Sequence, residues 1–124
     1  MIKFTIPGRL PALNEFLDAT KSHNGRFFKG NSMKRECERD RSYCIPRSAK
    51  NLCITDPCTV SFVFYEQNLK RDPDNVSAVA HKFVLDALKK NNVIKEDSYR
   101  YIKAINDTYL IDRVNPRISV SIRW

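Results

Sequence analysis

Residues 58–65, Cys-Thr-Val-Ser-Phe-Val-Phe-Tyr, and the later segment Lys70-Arg71-Asp72-Pro73-Asp74-Asn75 decide the fold. In the first, Val60, Phe62 and Phe64 alternate with Ser61, Val63 and Tyr65, the two-residue period of a strand. It is apolar on nearly both sides, so the strand is expected at the centre of a sheet. After the second, a helix is expected from about Asn75 to Asn91 or Asn92. Val76, Val79, Ala80, Phe83, Val84 and Ala87 recur at helical spacing and form its core face. Leu85 lies roughly opposite Phe83, two steps of about 100° away. With Ala78 and Leu88 it offers a second apolar contact, which hints at a partner subunit.

Working outward, residues 2–6 alternate as a strand that Pro7-Gly8 closes. Pro11 and Asn14 suggest a turn, with Leu10, Leu13, Phe16 and Leu17 available to pack. Residues 18–31 read as a loop. Asn31 or Ser32 is placed to cap a helix that runs to about Ile45 and stops at Pro46. Downstream, a strand is expected over 99–106, a connector or bulge at Tyr109-Leu110-Ile111, and a strand over 117–124 with Ile118, Val120 and Ile122 inward. The order β-α-β-α-β-β predicts an α+β fold, a small mixed β-sheet with two main helices, in one domain over residues 1–124.

The chain carries 22 Lys and Arg against 14 Asp and Glu, a formal net charge of +8. If Asp72, Asp74, Asp86, Glu96 and Asp97 gather in one place, nine acids are left facing those 22 bases. That describes a basic body with one acidic pocket, suited to a polyanion such as nucleic acid. Residues 21–50 hold nine of the bases and three acids. Within them Arg26 and Lys29 flank Phe27-Phe28. The aromatic pair can stack on bases or pack this loop onto the core, and Arg26 and Lys29 are candidate DNA contacts. No stretch has the length and apolarity of a membrane span. Met1 to Leu10 lacks the apolar region of a signal peptide, so a cytoplasmic protein is expected. Cys37, Cys44, Cys53 and Cys58 form no CxxC, and neither His lies at zinc spacing from them; reduced thiols packed as small apolar side chains are expected.

The acids carry the chemistry. Pro73 biases Asp72 toward extended backbone. In an extended segment residues i and i+2 project to one side, so both carboxylates are expected to reach one ion. Magnesium takes hard oxygen ligands and keeps several waters, so two or three carboxylates suffice. A bound metal activates water and stabilises charge on a phosphoryl group. Asp72, Asp74, Asp97 and Asp86, with Lys82 to place positive charge at a phosphate, are the residue types that phosphodiester hydrolysis needs. A calcium loop fails, because Val76 and Ser77 stand where a ligand and Gly belong. A plain helix cap at Asp74 or Asn75 remains open, as does an ordinary Lys82–Asp86 surface pair.

Arg71-Asp72-Pro73-Asp74-Asn75, then Lys82 four residues before Asp86-Ala87-Leu88, then Val93-Ile94-Lys95-Glu96-Asp97 resemble the RusA family of Holliday junction resolvases. Ile6-Pro7-Gly8-Arg9-Leu10-Pro11-Ala12-Leu13-Asn14 is similar to that family's opening. The 18–57 region carries little of the likeness. The gap from Asn75 to Asp86 is about one helical turn longer than in the best-known member, and a whole turn preserves the face.

The resemblance implies a magnesium-dependent homodimeric endonuclease, with manganese as a possible substitute and no small-molecule cofactor. It would act on branched DNA, cutting four-way junctions by paired symmetric nicks, in a bacterial or phage setting. Asp72, Asp74 and Asp97 would be metal ligands and Asp86 a supporting acid in the metal set. Lys82 would be a catalytic or phosphate-contacting base. Arg71, with Lys70 beside it, would contact DNA. A junction-binding protein without catalysis is the alternative. Metal-dependent nicking separates the two.

Overall fold

The computed structural model describes residues 1–15, 17 and 44–124. Four strands and one long helix make up its regular part: β1 (Ile2–Pro7), β2 (Cys58–Glu66), α1 (Pro73–Lys90), β3 (Ile102–Ile111) and β4 (Arg117–Arg123). They form a mixed sheet in the order β1-β4-β2-β3. β4 is antiparallel to both β1 and β2, whereas β3 is parallel to β2. Parallel neighbours need a crossover connection, and α1 is that crossover. The class is α+β with a small mixed sheet, as the sequence pattern predicts. Residues 13–15 are helical, where Pro11 and Asn14 suggested a turn. The helix expected up to Ile45 falls on residues outside those described, apart from its last two.

β2 does occupy the interior of the sheet, between β4 and β3. Val60, Phe62 and Phe64 point to one face and pair across with Ile122, Val120 and Ile118 of β4. All six are buried, together with Phe4 and Ile6 of β1. The apolar stripe of α1 covers that face: Val76, Val79, Ala80, Phe83, Val84 and Ala87 are buried as expected, and so is Leu88. Leu88 therefore belongs to the core and not to a second contact; only Leu85, half-buried, and exposed Ala78 remain on the other flank. The opposite face of the sheet presents exposed Lys3 and Thr5 and half-buried Ser61, Ser119 and Ser121.

Three boundaries differ from the sequence reading. α1 begins at Pro73, two residues early, because proline at the first helical position loses no helical hydrogen bond. Leu17 is exposed. β3 runs on through Tyr109, Leu110 and Ile111, which pair with Phe64, Tyr65 and Glu66 of β2, and the Tyr109 ring stacks on Phe64 at 5.3 Å. It also starts later than expected, at Ile102.

The end of α1 is fixed by its own backbone. Asn92 adopts a left-handed conformation, φ 55°, which Asn tolerates better than most residues. The Asn92 N–H donates to the Lys89 carbonyl and the Val93 N–H to the Leu88 carbonyl, the paired bonds of a Schellman cap. Val93 and Leu88, both fully buried, close the accompanying apolar contact. The chain then docks on residues 51–54, with Ile54 N–H donating to Val93 O and Lys95 N–H to Ile54 O.

Of the described cysteines, Cys58 lies in the core, Cys44 is half-buried and Cys53 is exposed. Burial pushes the Cys58 thiol above its ordinary value, and nearby Lys103 pulls the other way. Among the described residues, no helix is long and apolar enough to cross a membrane.

Candidate active site

Asp72 is the N-cap of α1, and its backbone is extended (φ −78°, ψ 140°) as Pro73 demands. Asp74 already lies in the first helical turn. The pair is therefore presented by the start of a helix and not by an extended segment. Both are exposed, and the cap makes no side-chain hydrogen bond to the helix. The Asp72 carboxylate is not consumed by the capping role that its position offers. A helix N-terminus carries partial positive charge that favours acids there.

The obvious counter-ion for this pair is turned away. Arg71 donates from Nε and Nη2 to the two carboxylate oxygens of Glu66, at 2.7 and 2.9 Å. Its Nη1 donates to the Leu10 carbonyl at 2.8 Å and to Glu15 at 3.4 Å. The Arg71 side chain is only 10% exposed and that of Glu66 13%. Burial alone would lower the guanidinium pKa, but the hydrogen bond and charge of Glu66, then those of Glu15, outweigh it and hold it above its ordinary value. Arg71 thus ties the end of β2 to the segment after β1 and fixes the turn that carries Asp72. Lys70, next to it, is exposed.

Lys82 and Asp86 face each other one turn apart, Nζ to Oδ1 3.3 Å. Asp86 has a further interaction besides this one. At about 1.5 Å per residue, Asp86 lies roughly 18 Å along the axis from Asp74 and about 120° around it. Asp97 is more distant still. It follows the Schellman turn at the far end of α1, in an exposed segment beside Ser98, whose carbonyl accepts from the Tyr101 and Ile102 N–H groups at the start of β3. An 18-residue helix is about 27 Å long. One copy of the chain therefore holds Asp72 and Asp74 at one end and Asp97 at the other, and it does not gather them. Among the described residues no three His, Cys, Asp or Glu side chains form a metal-ligand group. Asp97 instead borders an open cavity of about 420 Å³, lined by Leu85, Tyr99, Ile102 and Ile105. Arg26, Lys29 and the Phe27-Phe28 pair lie outside the described residues.

The sequence reading also missed a polar contact between α1 and β3. His81 Nε2 and Asp107 Oδ1 are 2.8 Å apart and link α1 to β3, with the imidazole tilted on Phe62 at 4.9 Å. Asp107 pairs with Phe62 across the sheet, so it occupies a position of core-facing parity. A charged residue at such a position in a strand is the signal that could have found it.

The sequence matches no model of a known protein family and no curated protein. The likeness to the RusA family rests on the motif residues alone.

Proposed function

We propose that the protein is a magnesium-dependent endonuclease for branched DNA that works as a homodimer, in the manner the RusA-like motif implies. The observation that carries this reading is the bare acid pair. In a chain of net charge +8, Asp72 and Asp74 stand exposed at one helix start, while the adjacent Arg71 is committed to Glu66 and Leu10. Two hard oxygen donors that pair with no cation among the described residues suit magnesium, which is commonly bound by one or two carboxylates plus water and phosphate oxygens. Bound there, the metal supplies an activated water and neutralises charge at the phosphate.

The chain's own residues do the remainder. Arg71 and Glu66 hold the turn rigid, so that Asp72 and Asp74 keep one position. Lys70 and Lys82 offer positive charge to the DNA backbone, and the charge of the whole chain draws the polyanion in. Asp97 enters the site from the partner chain, since its own copy carries it too far away; Asp86 supports whichever half lies against it. Cuts in pairs follow from two such sites related by a twofold axis.

The test is cleavage of an immobile four-way junction, with and without magnesium. Asp72→Asn and Asp74→Asn are each expected to lower cutting by more than about 100-fold, beyond the cost of losing an outer partner of a metal ligand. Junction binding is expected to persist or tighten, because less negative charge faces phosphate. Cutting at the unmodified rate by either variant would remove the site assignment. The wide separation of the acids in one copy favours the second reading, a junction-binding protein without catalysis, if the chain proves monomeric. That protein would retain the junction and never nick it at any magnesium concentration.

A further inference from the structure

The two edges of the sheet differ. β1 is six residues long and carries Lys3 and a terminal Pro7, features that blunt an edge against pairing. β3 is ten residues long, and among the described residues nothing pairs with its outer side. Ile105, Tyr109 and Ile111 share the parity of Val60, Phe64 and Glu66 and are 38, 39 and 45% exposed. Beside them α1 leaves Ala78 exposed and Leu85 half-buried, and Tyr99 is fully exposed. β3 carries Lys103 near its start and an inward Asp107 held by His81, but residues 108–111 carry neither charge nor proline, and a long apolar edge of this kind is a template for another strand.

We propose that the β3 edge is the seam of the homodimer, with a second copy of this chain as its occupant and the two β3 strands antiparallel. This rests on the homodimeric reading above and says which surface makes it. Two features select the second copy. A twofold axis perpendicular to the sheet pairs an edge with itself in antiparallel sense. That sense lays the start of the partner's β3, and with it the partner's Asp97, beside the end of β3 that pairs with Glu66, where β2 leads on to the turn that carries Asp72, with strands about 4.8 Å apart. The seam has a suitable size: a ten-residue strand is about 33 Å long, and with the helix layer behind it the strip covers on the order of 700 Å², near the roughly 800 Å² per partner of a stable complex.

Sedimentation of the unmodified chain, Ile105→Lys and Ile111→Lys tests the seam without reference to activity. The unmodified chain is expected at twice 14.4 kDa. Each substitution enters the seam twice and is expected to raise the dissociation constant more than about a hundredfold, with unchanged far-UV circular dichroism. Hydrogen exchange on the unmodified chain gives a second readout that needs no variant: amides of 104–110 should exchange faster as dilution dissociates the dimer. A monomeric chain, or dimeric variants with concentration-independent exchange in β3, overturns the seam. A dimer that behaves as expected but never nicks DNA leaves the seam standing and removes the nuclease reading.

Discussion

The two ends of α1 present acids in opposite ways. At the start, Asp72 and Asp74 project from a turn held by the fork of Arg71 on Glu66, its bond to Leu10 O and the cap position itself. The base is tied down by these bonds, and among the described residues no cation pairs with either carboxylate. At the finish, the Schellman turn and Val93-Ile94 are fixed, but Asp97 sits past them on an exposed segment beside an apolar cavity. The first end resembles most of a metal site; the second resembles an acid waiting beside a docking strip. Neither is complete by itself, and a helix of 18 residues keeps them apart.

That contrast can be broken most directly at the first end. Asp72→Asn should abolish metal-dependent cutting and leave the melting temperature almost unchanged, because the carboxylate makes no cap bond whose loss would cost stability. Arg71→Ala should act the other way. Removing one partner of a largely buried ion pair leaves Glu66 without its fork, so chemical denaturation should show a loss of about 3 kcal/mol. Arg71→Lys should recover only part of this, since an ammonium cannot make the two-pronged contact. An Arg71→Ala protein as stable as its parent would mean the turn is held by something else. The smallest effect is expected at Lys82, whose ion pair with Asp86 is 63% exposed on the lysine side. Lys82→Ala should change stability by only a few tenths of a kcal/mol, yet lower junction affinity and flatten its salt dependence by about one counterion. A loss of affinity that is the same at every salt concentration would argue against a phosphate contact.

The sequence announced those elements in which one face is buried. The alternation of β2 and β4, the stripe of α1 and its stop at Asn91-Asn92 all reflect contact with a single core. β3 was misjudged because an edge strand with exposed apolar residues on both faces has no clear alternation to read. Tyr109-Leu110-Ile111 looks like a connector until its pairing with β2 is known. The clamp on Arg71 was invisible for another reason: Leu10 lies 61 residues away, and spacing carries no record of such a partner. The distance from Asp74 to Asp86 was legible, however. The helix assignment and its rise per residue already separated those two acids and left Asp97 beyond the helix end.

The central claim is that each site draws its acids from two chains, and a mixed dimer tests it. Asp72→Asn and Asp97→Asn chains carrying different tags would be co-expressed, and the mixed dimer purified on both tags and assayed on the four-way junction with magnesium. Each variant alone should be inactive. If sites are shared between copies, the mixed dimer contains one site with both defects and one with neither, so it should make single nicks instead of paired cuts. If each site lies within one chain, no intact site exists and the mixed dimer should be as inactive as its parents. That outcome, or full cutting by Asp97→Asn alone, would contradict the account.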